Sequence, residues 1–242
     1  MKAQEKKIRH EFKYILTETE AQIFELYIQK IGLKKDAPHG GSYSVTTLYF
    51  DTPLLEDYRD KMSGLKYRKK IRARVYGYDF GGESDDVWLE IKEKHDMNTG
   101  KKRDTITNAE WKRFSGDGLF FDVASVRKKD NKKLNNFFYL FSKKNYQPNV
   151  VVRYKRNAYV GQFVSDYRVT IDRRIEACKW HDFRYNTMVP VSQGKAVLEV
   201  KFFSAMPWWF RDMIYRFELR RQAFSKYTNA VDALNGFNPI KR

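Results

Sequence analysis

The chain has 242 residues, with 47 Lys plus Arg against 30 Asp plus Glu and a formal charge of +17, giving a sequence pI near 9.7. Apolar residues at 42% and aromatics at 16% exclude a disordered basic tail, and no apolar run approaches the roughly 20 residues of a membrane-spanning helix. The charged start lacks a secretory h-region and Cys178 is the only cysteine, so the expectation is one cytoplasmic domain, residues 1–242, with no disulfide and an anionic partner.

A period-two strand is expected over 8–15, with Ile8, His10, Phe12 and Tyr14 on one face and Arg9, Glu11 and Lys13 on the other. Thr17 and Glu20 form a capping-box pattern ahead of a helix that carries Ile23, Leu26, Tyr27 and Ile31 and ends near Gly32. Strands follow over 44–50, 69–78 and 87–94, then helices over 108–114 and 132–142. Further strands are expected over 149–161, 167–173 and 196–203. Pro207 starts a helix through Trp208, Phe210, Met213 and Phe217, with Trp208-Trp209-Phe210 read as its core. A last short helix covers 227–234. Loops are expected at 38–42, 77–86, 95–100 and 186–194. Many antiparallel strands with a few helices indicate an α+β fold.

In strand after strand, one face is apolar and the other mixes acids and bases at i, i+2: Glu11/Lys13, Arg72/Arg74, Glu90/Lys92, Arg168/Asp172 and Glu199/Lys201. Two readings are open. One is a sheet with a single wet face whose charges are only solvated. The other is a barrel lined by these charges, which needs an open lumen filled by a polyanion with metal ions, because unpaired buried charge is costly.

Several segments, in order, resemble the strands of one family. These are Arg9-His10-Glu11-Phe12-Lys13-Tyr14, Thr47-Leu48-Tyr49-Phe50-Asp51-Thr52, Ile71-Arg72-Ala73-Arg74 and Leu89-Glu90-Ile91-Lys92 with Lys101-Lys102-Arg103 after it. Tyr154-Lys155-Arg156-Asn157-Ala158-Tyr159, Arg168-Val169-Thr170-Ile171-Asp172, Leu198-Glu199-Val200-Lys201 and Phe224-Ser225-Lys226-Tyr227 complete the set. The set resembles the VTC-type polyphosphate polymerase domain, within the CYTH/triphosphate tunnel metalloenzyme superfamily. The resemblance implies an antiparallel β-barrel tunnel of about eight strands with flanking helices. It implies that Arg72, Arg74, Lys92, Arg156 and Arg168 are catalytic cations on phosphate oxygens. Lys13, Lys102, Lys201, Ser225 and Lys226 would extend the substrate grip, and Glu199, Glu90 and Glu11 would ligate Mn2+ or Mg2+, with Glu90, Glu11 and Asp172 alternatively orienting the neighbouring cations. Arg153 rivals Arg156 for the tunnel face, and Asp172 is expected to satisfy a turn at a strand end.

The implied substrates are ATP and inorganic polyphosphate. The hydrolases of that superfamily carry two glutamates in the opening motif; here the first position is Arg9, a poor base, which favours phosphoryl transfer to polyphosphate over transfer to water. Inorganic tripolyphosphate hydrolysis is the alternative in the same fold. A second departure is Ala223, where the family often has a basic residue. A single-stranded nucleic-acid module is the alternative from another class; carboxylates interleaved with the cations argue against it, since they repel phosphates. No nucleic acid is therefore expected as partner, while association with a membrane partner is compatible with the chain. The histidines His10, His39, His95 and His181 show no metal-ligand spacing, and Cys178 reads as packing. Part of the remaining charge, at Lys128, Lys129, Lys132 and Lys133, is expected to guide a long polyanion.

Overall fold

In the computed structural model, residues 9–36, 41–80, 86–96, 98–118, 121–126, 131–161, 167–203 and 205–236 are described. The described residues form ten strands, seven of them at the segments where alternation predicts one. These are β1 (Arg9–Leu16), β2 (Leu33–Lys35), β3 (Ser42–Asp51), β4 (Tyr67–Val75), β5 (Val87–His95), β6 (Asn98–Ile106), β7 (Gln147–Gly161), β8 (Arg168–Lys179), β9 (Val189–Pro190) and β10 (Ala196–Phe203). The helices among the described residues are α1 (Glu18–Lys30), α2 (Glu56–Met62), α3 (Asn108–Ser115), α4 (Lys132–Lys143), α5 (Trp208–Arg216) and α6 (Lys226–Leu234), with a 3-10 helix at Trp180–Tyr185. The fold is α+β, and β1–β10, β10–β8, β2–β7, β3–β4, β4–β5, β5–β6 and β8–β9 pair antiparallel. Strand order is β1-β10-β8-β7-β3-β4-β5-β6, with β2 on β7 and β9 on β8. The main path thus has the expected eight strands, but it is open among the described residues, ending at β1 and β6. At β1 the backbone meets an irregular segment in place of a strand: Gln222 N–H donates to the Lys13 carbonyl at 3.0 Å.

The chain divides into two compact units. The first comprises Met1–Tyr43, Tyr154–Ile175 and Ser192–Ser225; the second comprises Ser44–Arg153, Glu176–Val191 and Lys226–Arg242. The first unit buries Tyr14 and Leu16 of β1 and Ala196, Leu198, Val200 and Phe202 of β10, with Val169 and Ile171 of β8. They lie against Phe24 and Ile28 of α1 and Phe210 and Met213 of α5. The sequence reading placed Trp208 in the helix core; it is 67% exposed, and the neighbouring Trp209 is buried. Thr17 starts α1 with the predicted capping box, closed by Glu20. Glu25 then ties α1 down by accepting from Asn157, Tyr159 and Arg173.

The second unit buries Leu48, Phe50, Ile71, Ala73, Leu89 and Ile91 against Trp111, Phe114, Phe137, Phe138 and Phe141 from α3 and α4. These rings meet mostly edge to face, as between Phe50 and Phe141 at 5.1 Å and between Phe114 and Phe121 at 4.9 Å.

The structure adds β2, β9 and the 3-10 helix to the expected elements and departs from them in three further places. The loop expected over 95–100 is a hairpin, with Asp96 in left-handed backbone (φ 52°) between β5 and β6. Helix α2 carries too few apolar residues for a periodic signal, and Asp51 and Thr52 before it supply its cap. Strand β8 continues past Arg173, because left-handed backbone at Arg174 (φ 48°) interrupts the alternation without ending the strand.

Candidate functional site

Cross-strand register decides which charges meet, since residues directly opposite share a face. In the second unit, Tyr49 pairs with Arg72 and Thr47 with Arg74. Arg72 pairs with Glu90 and Lys70 with Lys92. Glu90 pairs with Arg103 and Lys92 with Lys101. One polar face therefore runs across four strands, opposite the face that packs on α3 and α4.

Glu90 is at its centre and is fully buried. Arg72 Nε lies 2.5 Å from its Oε2, Arg74 Nη1 lies 3.9 Å from the same atom, and Lys101 Nζ contacts Oε1. Burial works to raise the Glu90 carboxyl, but Arg72, Arg74 and Lys101 outweigh it and hold it well below the usual carboxylate range. Lys101 is pulled down to about 7, first by burial, against the attraction of Glu90 and with the repulsion of Arg72. The guanidiniums are held from behind: Arg74 Nε donates to Thr47 Oγ1 at 3.1 Å and Arg72 Nη1 to the Tyr49 hydroxyl at 3.3 Å. Burial raises the Tyr49 hydroxyl, and Arg72, Arg74 and Lys226 more than reverse this, so it ends below its ordinary value. Lys226 begins α6, Ser225 stands just before it and is half-buried, and Lys92 is half-buried on the Glu90 face. Three cations around one carboxylate make a rigid face with excess positive charge, suited to an anion with several oxygens.

In the first unit, Lys13 is opposite Glu199 and Glu11 is opposite Lys201. Lys13 Nζ lies 3.0 Å from Glu11 Oε1 and 3.4 Å from Glu199 Oε2. Lys201 Nζ contacts Glu199 Oε1 and stands 3.9 Å from Glu11 Oε2. Lys13 also donates to the Phe224 carbonyl at 3.3 Å. Burial works against the Lys13 ammonium, and Glu199 and Glu11 outweigh it, so its pKa ends above the ordinary lysine value. Arg156 binds Asp172 bidentately, with Nε–Oδ1 at 2.7 Å and Nη2–Oδ2 at 2.8 Å. Arg168 Nη2 pairs with Asp36 Oδ2 at 2.7 Å and stays partly exposed. Cations and carboxylates alternate here, and charge is close to balanced.

The structure therefore brings together Arg72, Arg74, Glu90 and Lys92 in one cluster, and Glu11, Lys13, Glu199 and Lys201 in another, with Arg156 and Asp172 on the strands beside the latter. Lys102 is not brought in. It stands opposite Ile91, on the other face of β6, and pairs with Glu93 at 3.5 Å. Lys101 takes the place expected of Lys102. Only the hairpin register shows this, because either lysine continues a basic run equally well. Glu90 is enclosed by Arg72, Arg74 and Lys101, which it orients. Glu11 and Glu199 are hard oxygen donors converging on one ammonium, which fits a divalent cation bound by two carboxylates plus substrate oxygens. Among the described residues, no group of three or more His, Cys, Asp or Glu side chains is arranged to hold a metal.

Arg153 and Arg156 are separated in the same way. Arg153 packs over Tyr78 and Phe183, 4.8 and 5.4 Å from the ring centroids, and bonds Asn186 and the Tyr78 carbonyl. That is a structural role, among residues at the aromatic core. Asp172, expected at a strand end, is a fully buried residue inside β8. His10 lies with Phe12 and Phe202, on the strand face that alternation predicts for it, and Cys178 is packed in the core, its thiol pushed up to about 12 by burial. Lys128 and Lys129 lie outside the described residues, as do the side chains of Arg9 and Lys133.

Comparison with known proteins bears on the family and the fold. The family model described as VTC domain matches residues 8–235. No curated protein gives a significant match. Among solved structures, a candidate adenylyl cyclase from Hippeastrum, described as having a dominant triphosphatase activity, is similar at 13% identity, with a TM-score of 0.54 over 93% of this chain and 96% of that one. A candidate adenylate cyclase from Bacillus halodurans is similar at 11% identity, with a TM-score of 0.51 over 90% of this chain and 94% of that one. Both are of the CYTH/triphosphate tunnel type, and at these identities the likeness speaks for the fold alone.

Proposed function

The chain belongs to the VTC domain family, and we propose that it is a polyphosphate polymerase, which moves the γ-phosphate of ATP onto a growing inorganic polyphosphate chain and releases ADP. The observation that carries this reading is the buried Glu90 fixing Arg72, Arg74 and Lys101 on one strand face. In phosphoryl transfer, charge spreads over the oxygens of the moving group, and cations already held in place stabilise it without reorganising. Arg72 and Arg74 offer planar forks, while Lys92, Lys101 and Lys226 act as point charges along the phosphates.

Within the first unit, Glu11 and Glu199 would hold Mn2+ or Mg2+, which when bound would offset charge on phosphate oxygens there. Lys13 and Lys201, now paired with those carboxylates, stand ready for phosphate oxygens, and Asp172 fixes the Arg156 fork. The terminal phosphate of a polyphosphate chain is already anionic at neutral pH and needs no general base. This agrees with Arg9 standing at the first position of the opening motif, two residues before Glu11.

The test is purified protein with ATP, Mn2+ and a polyphosphate primer, followed by gel electrophoresis for chain length and by ADP release. Chain growth is expected. Orthophosphate release without growth would overturn the reading in favour of triphosphate hydrolysis, the activity for which the Hippeastrum protein is described.

A further inference from the structure

Trp88 stands where strand alternation calls for a polar side chain. Val87, Leu89 and Ile91 of β5 point into the core with the rings of α3 and α4. Trp88 alternates onto the opposite face, with Glu90 and Lys92. Among the described residues it is a member of neither hydrophobic core, and it is only half-buried. An indole that core packing does not use therefore lies on the face that carries Arg72 and Arg74.

Register arranges that face in rows across β4, β5 and β6, about 6.6 Å apart. At one end are Arg68, Lys94 and Thr99, and next come Lys70, Lys92 and Lys101. Neither of these rows contains a carboxylate. Like charges directly opposite one another are unfavourable, so this end calls for a bound polyanion. Then follow Arg72, Glu90 and Arg103, and at the other end Arg74, Trp88 and Thr105. This last row is of a different kind: its one cation, Arg74, is buried and donates to Thr47. Arg103 reaches diagonally from the Glu90 row and lays its guanidinium 4.5 Å from the Trp88 ring centroid. Arg103 is exposed, so the stacked pair is accessible to a further flat group. Indole and guanidinium planes are the side chains on which nucleobases stack. Inorganic polyphosphate offers them no flat apolar part. A nucleoside triphosphate offers one, joined to three phosphates.

We infer that Trp88 and Arg103 form a nucleobase subsite, on which the purine of ATP stacks while its phosphates run past Arg74 and Arg72 toward Lys101. The inference rests on the polymerase reading, in which ATP is the donor, and it gives the face a direction: nucleoside at the Trp88 row, further phosphates at the Arg68 row. Stacking uses the plane of a base and not its hydrogen-bonding edges, so GTP should bind at this subsite as ATP does.

Titration calorimetry of the full chain with ATP and with inorganic tripolyphosphate, both with Mg2+, separates the base from the phosphates. Trp88→Ala is expected to weaken ATP binding about tenfold and tripolyphosphate binding less than about twofold. Trp88→Phe, which keeps a ring, should recover most of the ATP affinity. Arg103→Met loses charge as well as a plane and should weaken both ligands, ATP more. Tryptophan fluorescence of the unaltered chain should be quenched by ATP and not by tripolyphosphate, and the quenching should be lost in Trp88→Phe. Equal losses for the two ligands in Trp88→Ala would overturn the inference and make Trp88 a support for Arg74 and Arg103. Unchanged ATP affinity in that variant would overturn it while chain growth leaves the polymerase reading standing. Selective loss of ATP binding in a chain that releases orthophosphate without growth would support the subsite and overturn the polymerase reading alone.

Discussion

Lys101 lies on the Glu90 face of β6 and Lys102 on the other, so replacing each in turn separates position from charge. Lys101→Met is expected to weaken tripolyphosphate binding by about tenfold, the size of one lost charge-assisted hydrogen bond, and Lys102→Met by less than about twofold, both read by titration calorimetry. Lys101 also sets a pH dependence. With its pKa near 7 in the free protein, a bound phosphate raises that value, and the complex then takes up a proton above pH 7. Affinity should fall as pH rises from about 7 to 9, and the proton uptake, read from calorimetry in buffers of different ionisation heat, should vanish in Lys101→Met. Glu90→Gln leaves Arg72, Arg74 and Lys101 without their counter-charge. The expected loss is about 3 kcal/mol of stability in urea unfolding, together with loss of activity.

At the scale of elements, the turn from β3 into α2 joins two buried carboxylates. Asp51 accepts the N–H groups of Asp57 and Tyr58 at 3.0 Å each and the Tyr227 hydroxyl, so it caps α2 and anchors α6. Asp57 accepts the Tyr146 hydroxyl at 2.9 Å. Burial first, and the Asp51 charge second, push Asp57 from 3.8 up to about 7. Its folded pKa lies above the unfolded one, so the folded chain binds more protons between about pH 4 and 7. Its stabilising contribution is full below that window and is lost as pH rises through it. Asp57→Asn should flatten that slope in melting temperature measured from pH 4 to 8. The capping boxes of α1 and α3 are more local. Thr17→Ala and Thr107→Ala should each cost about 1 kcal/mol in denaturant unfolding, with little change in anion binding. Both boxes are visible in the sequence as Thr-x-x-Glu, whereas the cap of α2 comes from Asp51, well outside its first turn, and no local pattern announces it.

For the molecule as a whole, the two clusters account for only part of the +17. The Glu90 face is strongly cationic, while the cluster around Lys13 and Glu199 is near balance. The remaining charge lies elsewhere, at residues such as Lys143, Arg211 and Arg216. Binding of long polyphosphate should therefore fall more steeply with ionic strength than binding of tripolyphosphate, which engages fewer charges. Affinities for both measured across a salt series would check this, and parallel salt dependences would count against it.

By itself the sequence determined which residues of each strand share a face, because side chains alternate along a strand whatever it pairs with. It likewise determined most helices, through caps and apolar spacing, and the resemblance to the VTC family, through segments kept in order. Tertiary structure alone decided how one strand lines up with the next, and a one-residue difference in register moves a side chain to the opposite face. That is why Lys101 and not Lys102 meets Glu90, why Arg156 and not Arg153 takes Asp172, and why Glu90 serves three cations. The same holds for Trp208: a run of three aromatics cannot all face one core from a helix, and which one faces water depends on the neighbours the chain brings to it.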